Sequence, residues 1–196
     1  MTRVLVTGGK GFIGKHLLAA IRKRVDWQVT VYDKDGYTGP RHDEWDGIIH
    51  LAALARVSDC EKDPLECIRN NALLTTDVLQ QRFQWFILAS TATPPVNYYG
   101  LSKRFCEELC EYECAKSGAA LRILRFCSVT GDGENPDKLI PRAVEHVRTG
   151  KTFLLNQSAL PFEYADIDRV VNEIMVAATC ASYEPGSIGK PQHISD

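Results

Sequence analysis

Tyr99, Gly100, Leu101, Ser102 and Lys103 form the pattern Y-x-x-x-K. On a helix, the i, i+4 spacing puts the phenol and the ammonium on one face. A free phenol has a pKa of about 10 and is a poor acid or base near neutral pH. A nearby ammonium favours the phenolate and lowers that value. Such a pair can move a proton to or from an alcohol or sugar oxygen. Just upstream, Leu88-Ala89-Ser90-Thr91-Ala92 reads as the end of a strand. A hydroxyl there, from Thr91 or Ser90, could hydrogen-bond the reacting oxygen beside the tyrosine. The plainer alternatives are an exposed helix pair and a strand-end hydroxyl bonded only to backbone.

These groups need a scaffold, and the glycine pattern near the start indicates which. T-G-G-K-G-F-I-G (7–14) follows a predicted strand, Arg3 to Thr7, and opens a predicted helix, Gly11 to Arg24. That is the context a dinucleotide fingerprint requires. Gly8 permits the tight turn, Gly11 lets backbone approach a pyrophosphate, and Gly14 lets helix pack close to strand. The helix N-terminus offers unpaired N–H groups and a positive dipole end to phosphates. Asp33 ends a second strand, Gln28 to Tyr32, 19 residues after Gly14. A carboxylate there accepts hydrogen bonds from a ribose 2′-hydroxyl and repels a 2′-phosphate, which favours NAD over NADP. Lys34 beside it acts in the opposite sense. The positive nicotinamide ring of NAD would depress the Tyr99 pKa further during hydride transfer.

Strand and helix patterns alternate along the rest of the chain. Lys34 to Asp46 reads as loop and Gly47 to Ala52 as a strand. Pro64 to Gln81 reads as one helix, capped by Asp63 with Pro64 at its first position. Trp85 to Ala89 is a strand, Tyr98 to Ser117 a helix closed by Gly118, and Leu121 to Phe126 a strand. Lys138 to Thr149 is a helix ended by Gly150, Phe153 to Leu155 a short strand, and Asp166 to Cys180 the last helix. The tail from Glu184 reads as loose. Alternation of this kind predicts an α/β fold, a doubly wound parallel sheet of Rossmann-like type with right-handed crossovers.

The 196 residues suit a single domain, and 44% hydrophobic residues suffice for a packed core. With 23 Lys+Arg against 25 Asp+Glu, no basic field offers itself to nucleic acid. No apolar run approaches the roughly 18 residues of a membrane span. The first apolar stretch, Val4 to Val6, breaks at once into Thr7 and Gly8, so no signal peptide is read and a cytoplasmic location is expected. Seven cysteines without a C-x-x-C pair give neither a disulfide framework nor a common zinc motif. Cys106, Cys110 and Cys114 recur on one helix face and read as small buried apolar residues, with a metal or redox site as the alternative.

With H-L-A-A (50–53), Asn71, A-S-T-A (89–92), Y-G-L-S-K (99–103) and R-F-C-S-V-T-G (125–131), the chain resembles a known family. It is similar to the extended short-chain dehydrogenase/reductases, specifically the NAD-dependent epimerase/dehydratases of nucleotide sugars. The motifs occur in family order through almost the whole chain. The resemblance implies Tyr99 as acid/base, with Lys103 holding the nicotinamide ribose and tuning Tyr99. It puts Thr91 at the catalytic Ser/Thr position, in contact with substrate. Gly8, Gly11, Phe12, Ile13, Gly14 and Asp33 would bind NAD. Leu51, Ala52, Ala53 and Asn71 would line its pyrophosphate and nicotinamide side. Ser128 stands where the family usually has a substrate-binding Asn. The substrate would be a small molecule of the nucleotide-sugar class. Relatives commonly dimerise through the helix that carries Tyr99 and the one before it. Leu101, Phe105, Leu109 and Tyr112 could form the apolar stripe of such a homodimer, and intramolecular packing would explain the same stripe.

Departures from the pattern lie on the substrate side. Lys34 to Asp46 leaves no room for the usual third strand and its helix, so the acid expected near adenine has no counterpart beyond Asp43. Seven residues separate Thr91 from Tyr99, where the family has a longer loop. Phe162-Glu163-Tyr164 replaces the usual Arg-Asp-Tyr and removes an Arg expected to grip substrate phosphate. The expected organisation is one NAD-binding domain over 1–196 with a much reduced C-terminal substrate lobe, its remnants at 132–165 and 183–196. An epimerase or dehydratase acting by transient hydride transfer is the leading expectation. The alternatives are an NAD(P)H-dependent reductase of a small carbonyl compound and a catalytically silent dinucleotide-binding sensor or scaffold.

Overall fold

A computed structural model describes residues 1–40, 42–152, 163–183 and 188–196. The chain runs β1 (Thr2–Thr7), α1 (Phe12–Ile21), β2 (Trp27–Asp33), β3 (Gly36–Thr38) and β4 (Glu44–His50). Next come α2 (Val57–Lys62), α3 (Pro64–Ile68), a π-helical turn (Arg69–Leu73), α4 (Leu74–Leu79) and β5 (Arg82–Thr91). The remainder is α5 (Tyr98–Ser117), β6 (Ala120–Phe126), β7 (Ser128–Thr130), α6 (Leu139–Arg148), β8 (Tyr164–Asp166), α7 (Ile167–Tyr183) and β9 (Gln192–Ile194).

Successive buried residues mark strands covered on both faces, Val4 to Val6 in β1 and Trp85 to Leu88 in β5. Seven strands form one sheet in the order β3-β2-β1-β4-β5-β6-β9, parallel throughout except at β3. The direction of winding reverses between β1 and β4, so a crevice opens beyond the carboxyl ends of these strands. On one face α1 and α7 bury Leu17, Val170 and Ile174 against Val4, Val6 and Ile87. On the other, α4 and α5 bury Val78, Cys106 and Cys110 against Leu5, Ile48 and Phe86. α5 starts where the Asn97 side chain accepts from Gly100 N at 2.8 Å, and it stops where Gly118 adopts φ +75°.

Several elements differ from the sequence-based expectation. The stretch Lys34 to Asp46 is not all loop: β3 returns antiparallel on β2. This hairpin stands where a third strand and its helix had no room. The Pro64 to Gln81 helix is three pieces, α3, the π turn and α4, and α2 precedes it. Ser128–Thr130 and Tyr164–Asp166 pair as a small separate sheet. The tail is not loose at its end, because β9 pairs with β6 and Ile194 is 2% exposed. Thus 192–194 extend the main sheet. The strand expected at Phe153 to Leu155 lies outside the described residues.

Candidate functional site

The glycine turn joins β1 to α1 at the reversal point. Gly8 has φ +71°, and a Cβ there would lie 2.7 Å from the Ala52 backbone nitrogen. A Cβ on Gly14 would lie 2.3 Å from the Gly8 carbonyl oxygen. Both positions therefore need glycine to keep turn and helix in contact. The first turn of α1 has no side-chain cap and no acidic residue, which leaves its N–H groups and dipole free for an anion. Beside it a cavity of about 640 Å³ is lined by Gly8, Gly11, Asp33, Leu51, Ala52 and Ala53. Asp33 is held by backbone donors, Lys10 N and Lys34 N, each at 2.9 Å.

A second cavity of about 240 Å³ shares Gly8, Gly11, Leu51 and Ala53 with the first. Phe12, Ile13, Gly14, Tyr99 and Lys103 also line it. Lys103 is 3% exposed, and its ammonium makes no hydrogen bond or ion pair among the described residues. Burial lowers its pKa. Tyr99 is half-buried; burial raises the phenol pKa, and a hydrogen bond with the Thr91 side chain opposes that rise. In the protein alone the phenol is thus pushed up, contrary to the lowering read from the Tyr-Lys spacing, because removal from water outweighs its neighbours. A third cavity, about 620 Å³, opens from the second at Ala55, Tyr99, Cys127 and Lys138. Thr91 and Ser128 line it.

Asn71 stands elsewhere, and Ser90 lines the second cavity with its hydroxyl given to another partner. Asn71, in the π turn, is buried behind the cavity walls rather than lining them. Its Oδ1 accepts from Leu54 N at 2.7 Å, and its Nδ2 donates to Ser102 Oγ at 2.9 Å. It ties the loop after β4 to α5. Ser90 donates to Glu107 Oε1 at 2.5 Å, so its hydroxyl is engaged away from Tyr99. Glu107 is buried on α5, and burial works to raise its pKa. Hydrogen bonds from Arg125 and Ser90 nonetheless keep it below the usual carboxylate value.

Sequence reading missed this Glu107–Arg125 pair, which lies on a helix and a strand with no shared motif. It also gave no role to His50. His50 Nδ1 lies 2.6 Å from Thr7 Oγ1 and its Nε2 lies 3.0 Å from Thr75 Oγ1. Thr7 Oγ1 in turn accepts from Ala52 N, so the imidazole braces the loop against which Gly8 packs. Burial, with the Lys103 charge added, takes the His50 pKa down to about 3.

A crevice with these donors at a β1–β4 switch point defines a Rossmann-like, dinucleotide-binding protein. The sequence places it within that class: the profile of the NAD dependent epimerase/dehydratase family matches residues 4–186, and the chain belongs to that family. It is 27% identical to "GDP-6-deoxy-D-talose 4-dehydrogenase" of Aggregatibacter actinomycetemcomitans, over 91% of this chain and 67% of that protein. To "Probable UDP-arabinose 4-epimerase 3" of Arabidopsis thaliana it is 28% identical, over 82% of this chain and 53% of the other. The chain thus spans about half to two thirds of the length of these curated relatives. Among solved structures, "MoeE5 in complex with UDP-glucose and NAD" superposes with TM-score 0.82 at 24% identity, covering 98% of this chain and 76% of that one. NAD is the family's cofactor, and the glycine turn, uncapped helix end and Asp33 fit it.

Proposed function

We propose that this protein is an NAD-dependent enzyme that acts on a nucleotide sugar by transient oxidation of a sugar carbon, as epimerases and dehydratases do. The observation that carries this reading is Lys103, a buried ammonium with no hydrogen bond or ion pair among the described residues, lining the second cavity together with Tyr99, which also borders the third. Bound NAD, held by the glycine turn and Asp33, would supply the hydride acceptor and donor. Lys103 would hold the ribose hydroxyls and bring its charge close to the phenol. Tyr99 would take the proton from the sugar hydroxyl, and Thr91 would bond the same oxygen. Asp33 would accept from the adenosine ribose. Replacing Tyr99 by Phe should lower turnover about a hundredfold or more and leave NADH affinity within about twofold. Full activity in that variant would end the assignment.

A reductase reading is favoured by the dehydrogenase relative and by Phe162 in the sequence where an Arg was expected. It predicts net consumption of reduced cofactor, whereas an epimerase shows none. Denaturing the purified protein and assaying released NAD separates the two: about one equivalent per chain supports cofactor held through turnover. We place the enzyme in the cytoplasm, since its seven cysteines are all free. No helix among the described residues is long and apolar enough to cross a membrane. A homodimer through α5 is supported by exposed Leu101, Phe105 and Tyr112; Leu109 instead packs partly buried against the core.

A further inference from the structure

We propose that Lys138 takes the substrate's diphosphate, in place of the arginine this sequence lacks; the inference rests on the nucleotide-sugar reading above. The third cavity holds Thr91 and Tyr99 together with Ser128, Glu134, Lys138 and Glu163. Among the described residues that line it, Lys138 is the one cation, faced by two carboxylates. A diphosphate in a cavity whose fixed charges were only Glu134 and Glu163 would be repelled. Both carboxylates are already engaged by side chains of this chain. Glu163 lies 2.9 Å from His193 Nε2. The Glu134 side chain, 5% exposed, accepts from Thr130 Oγ1 at 2.7 Å and lies 3.6 Å from Lys138 Nζ.

That arrangement suits a ligand-seeking cation. Thr130 fixes Glu134, and Glu134 holds Lys138 at the cavity. The 3.6 Å separation is loose, and the Lys138 side chain is 41% exposed, so an arriving anion can draw the ammonium away at small cost. Lys138 also begins α6, whose first turn has no side-chain cap and no acid. Leu139 and Ile140 of that turn line the same cavity, so its dipole adds to the lysine charge. The rival ligand is the pyrophosphate of NAD, since Lys138 also borders the second cavity and lies 5.8 Å from the Phe12 ring. Two observations favour the substrate. The start of α1 already offers donors to the NAD pyrophosphate. Glu134, which orients Lys138, lines the third cavity and not the second.

The test is calorimetric titration of the NAD-loaded protein with UDP and with GDP at fixed salt, beside separate NADH titrations of cofactor-free protein. Lys138→Ala should weaken nucleoside diphosphate binding about tenfold or more, and Lys138→Arg should retain most of it. Glu134→Gln, which keeps a hydrogen-bond partner for Thr130 but removes the competing charge, should tighten it severalfold. NADH affinity should stay within about twofold in all three. The opposite signs of the Lys138 and Glu134 effects would not arise from a merely structural pair. If Lys138→Ala binds UDP and GDP as wild type does, or loses NADH instead, the inference is overturned and the nucleotide-sugar reading stands. If wild type itself binds neither UDP nor GDP, both are overturned.

Discussion

At Tyr99 burial and a hydrogen bond with Thr91 pull the phenol pKa in opposite directions, and burial dominates. Removing Thr91 leaves burial unopposed. If the phenolate is the working base, Thr91→Val should move the rising limb of the kcat/KM profile to higher pH, besides slowing turnover. A limb that stays in place, measured between neutral and alkaline pH, would detach Thr91 from tuning Tyr99. His50 gives a stability prediction. Its folded pKa of about 3 lies below the unfolded value of 6.5. As pH falls below 6.5 the unfolded chain gains a proton that the folded chain refuses, so stability is full above 6.5 and drains toward 3. The loss should reach about 2 kcal/mol by pH 5, seen in urea midpoints, and His50→Asn should flatten that slope. At this scale the residues that line the candidate site were largely legible, because Y-x-x-x-K and the glycine pattern carry fixed spacings. Lys138 and Glu134 were not. They sit in a loop and at a helix start, and only the folding of 128–140 over the crevice brings them to Tyr99.

Elements were legible in proportion to their length. The twenty-residue α5, with Asn97 and Gly118 at its ends, announces itself in sequence, whereas three-residue β3 and β9 carry too little pattern to register. Asp35-Gly36 was a turn signal that could have marked the β2–β3 hairpin. The π turn left no clear signal either, since Asn70 and Asn71 are weak helix formers inside an otherwise helical pattern and nothing marks the extra residue; its effect is to aim Asn71 at the backbone of Leu54. Packing between strands makes a sharper prediction. A Cβ on Gly47 of β4 would lie 1.9 Å from the Trp85 ring of β5. Gly47→Ala should therefore cost about 1–3 kcal/mol, read as a lower thermal midpoint, through displacement of a buried indole. A neutral outcome would mean that the two strands can slide apart without loss.

At the scale of the molecule, the described residues form a three-layer sandwich whose candidate site lies along one end of the sheet, while α5 presents apolar side chains to the outside. Leu101 and Phe105 are both about half exposed, with Leu65 and Leu73 exposed on the helices before α5. The proposed dimer should appear in sedimentation velocity as a two-chain species. Phe105→Asp, placing a charge in the stripe, should shift it to one chain without loss of NADH binding. A wild type that sediments as one chain at every concentration would remove this interface. The same sheet has a further property that follows from its outermost strands. β3 and β9 are each three residues long, and β3 runs against the direction of its neighbour. A growing fibril or a sticky neighbour needs a long flat row of unpaired amides to dock on, and these two margins provide almost none. The strands richest in valine, isoleucine and leucine, which would template such growth most readily, are shut inside, so aggregation must wait for unfolding.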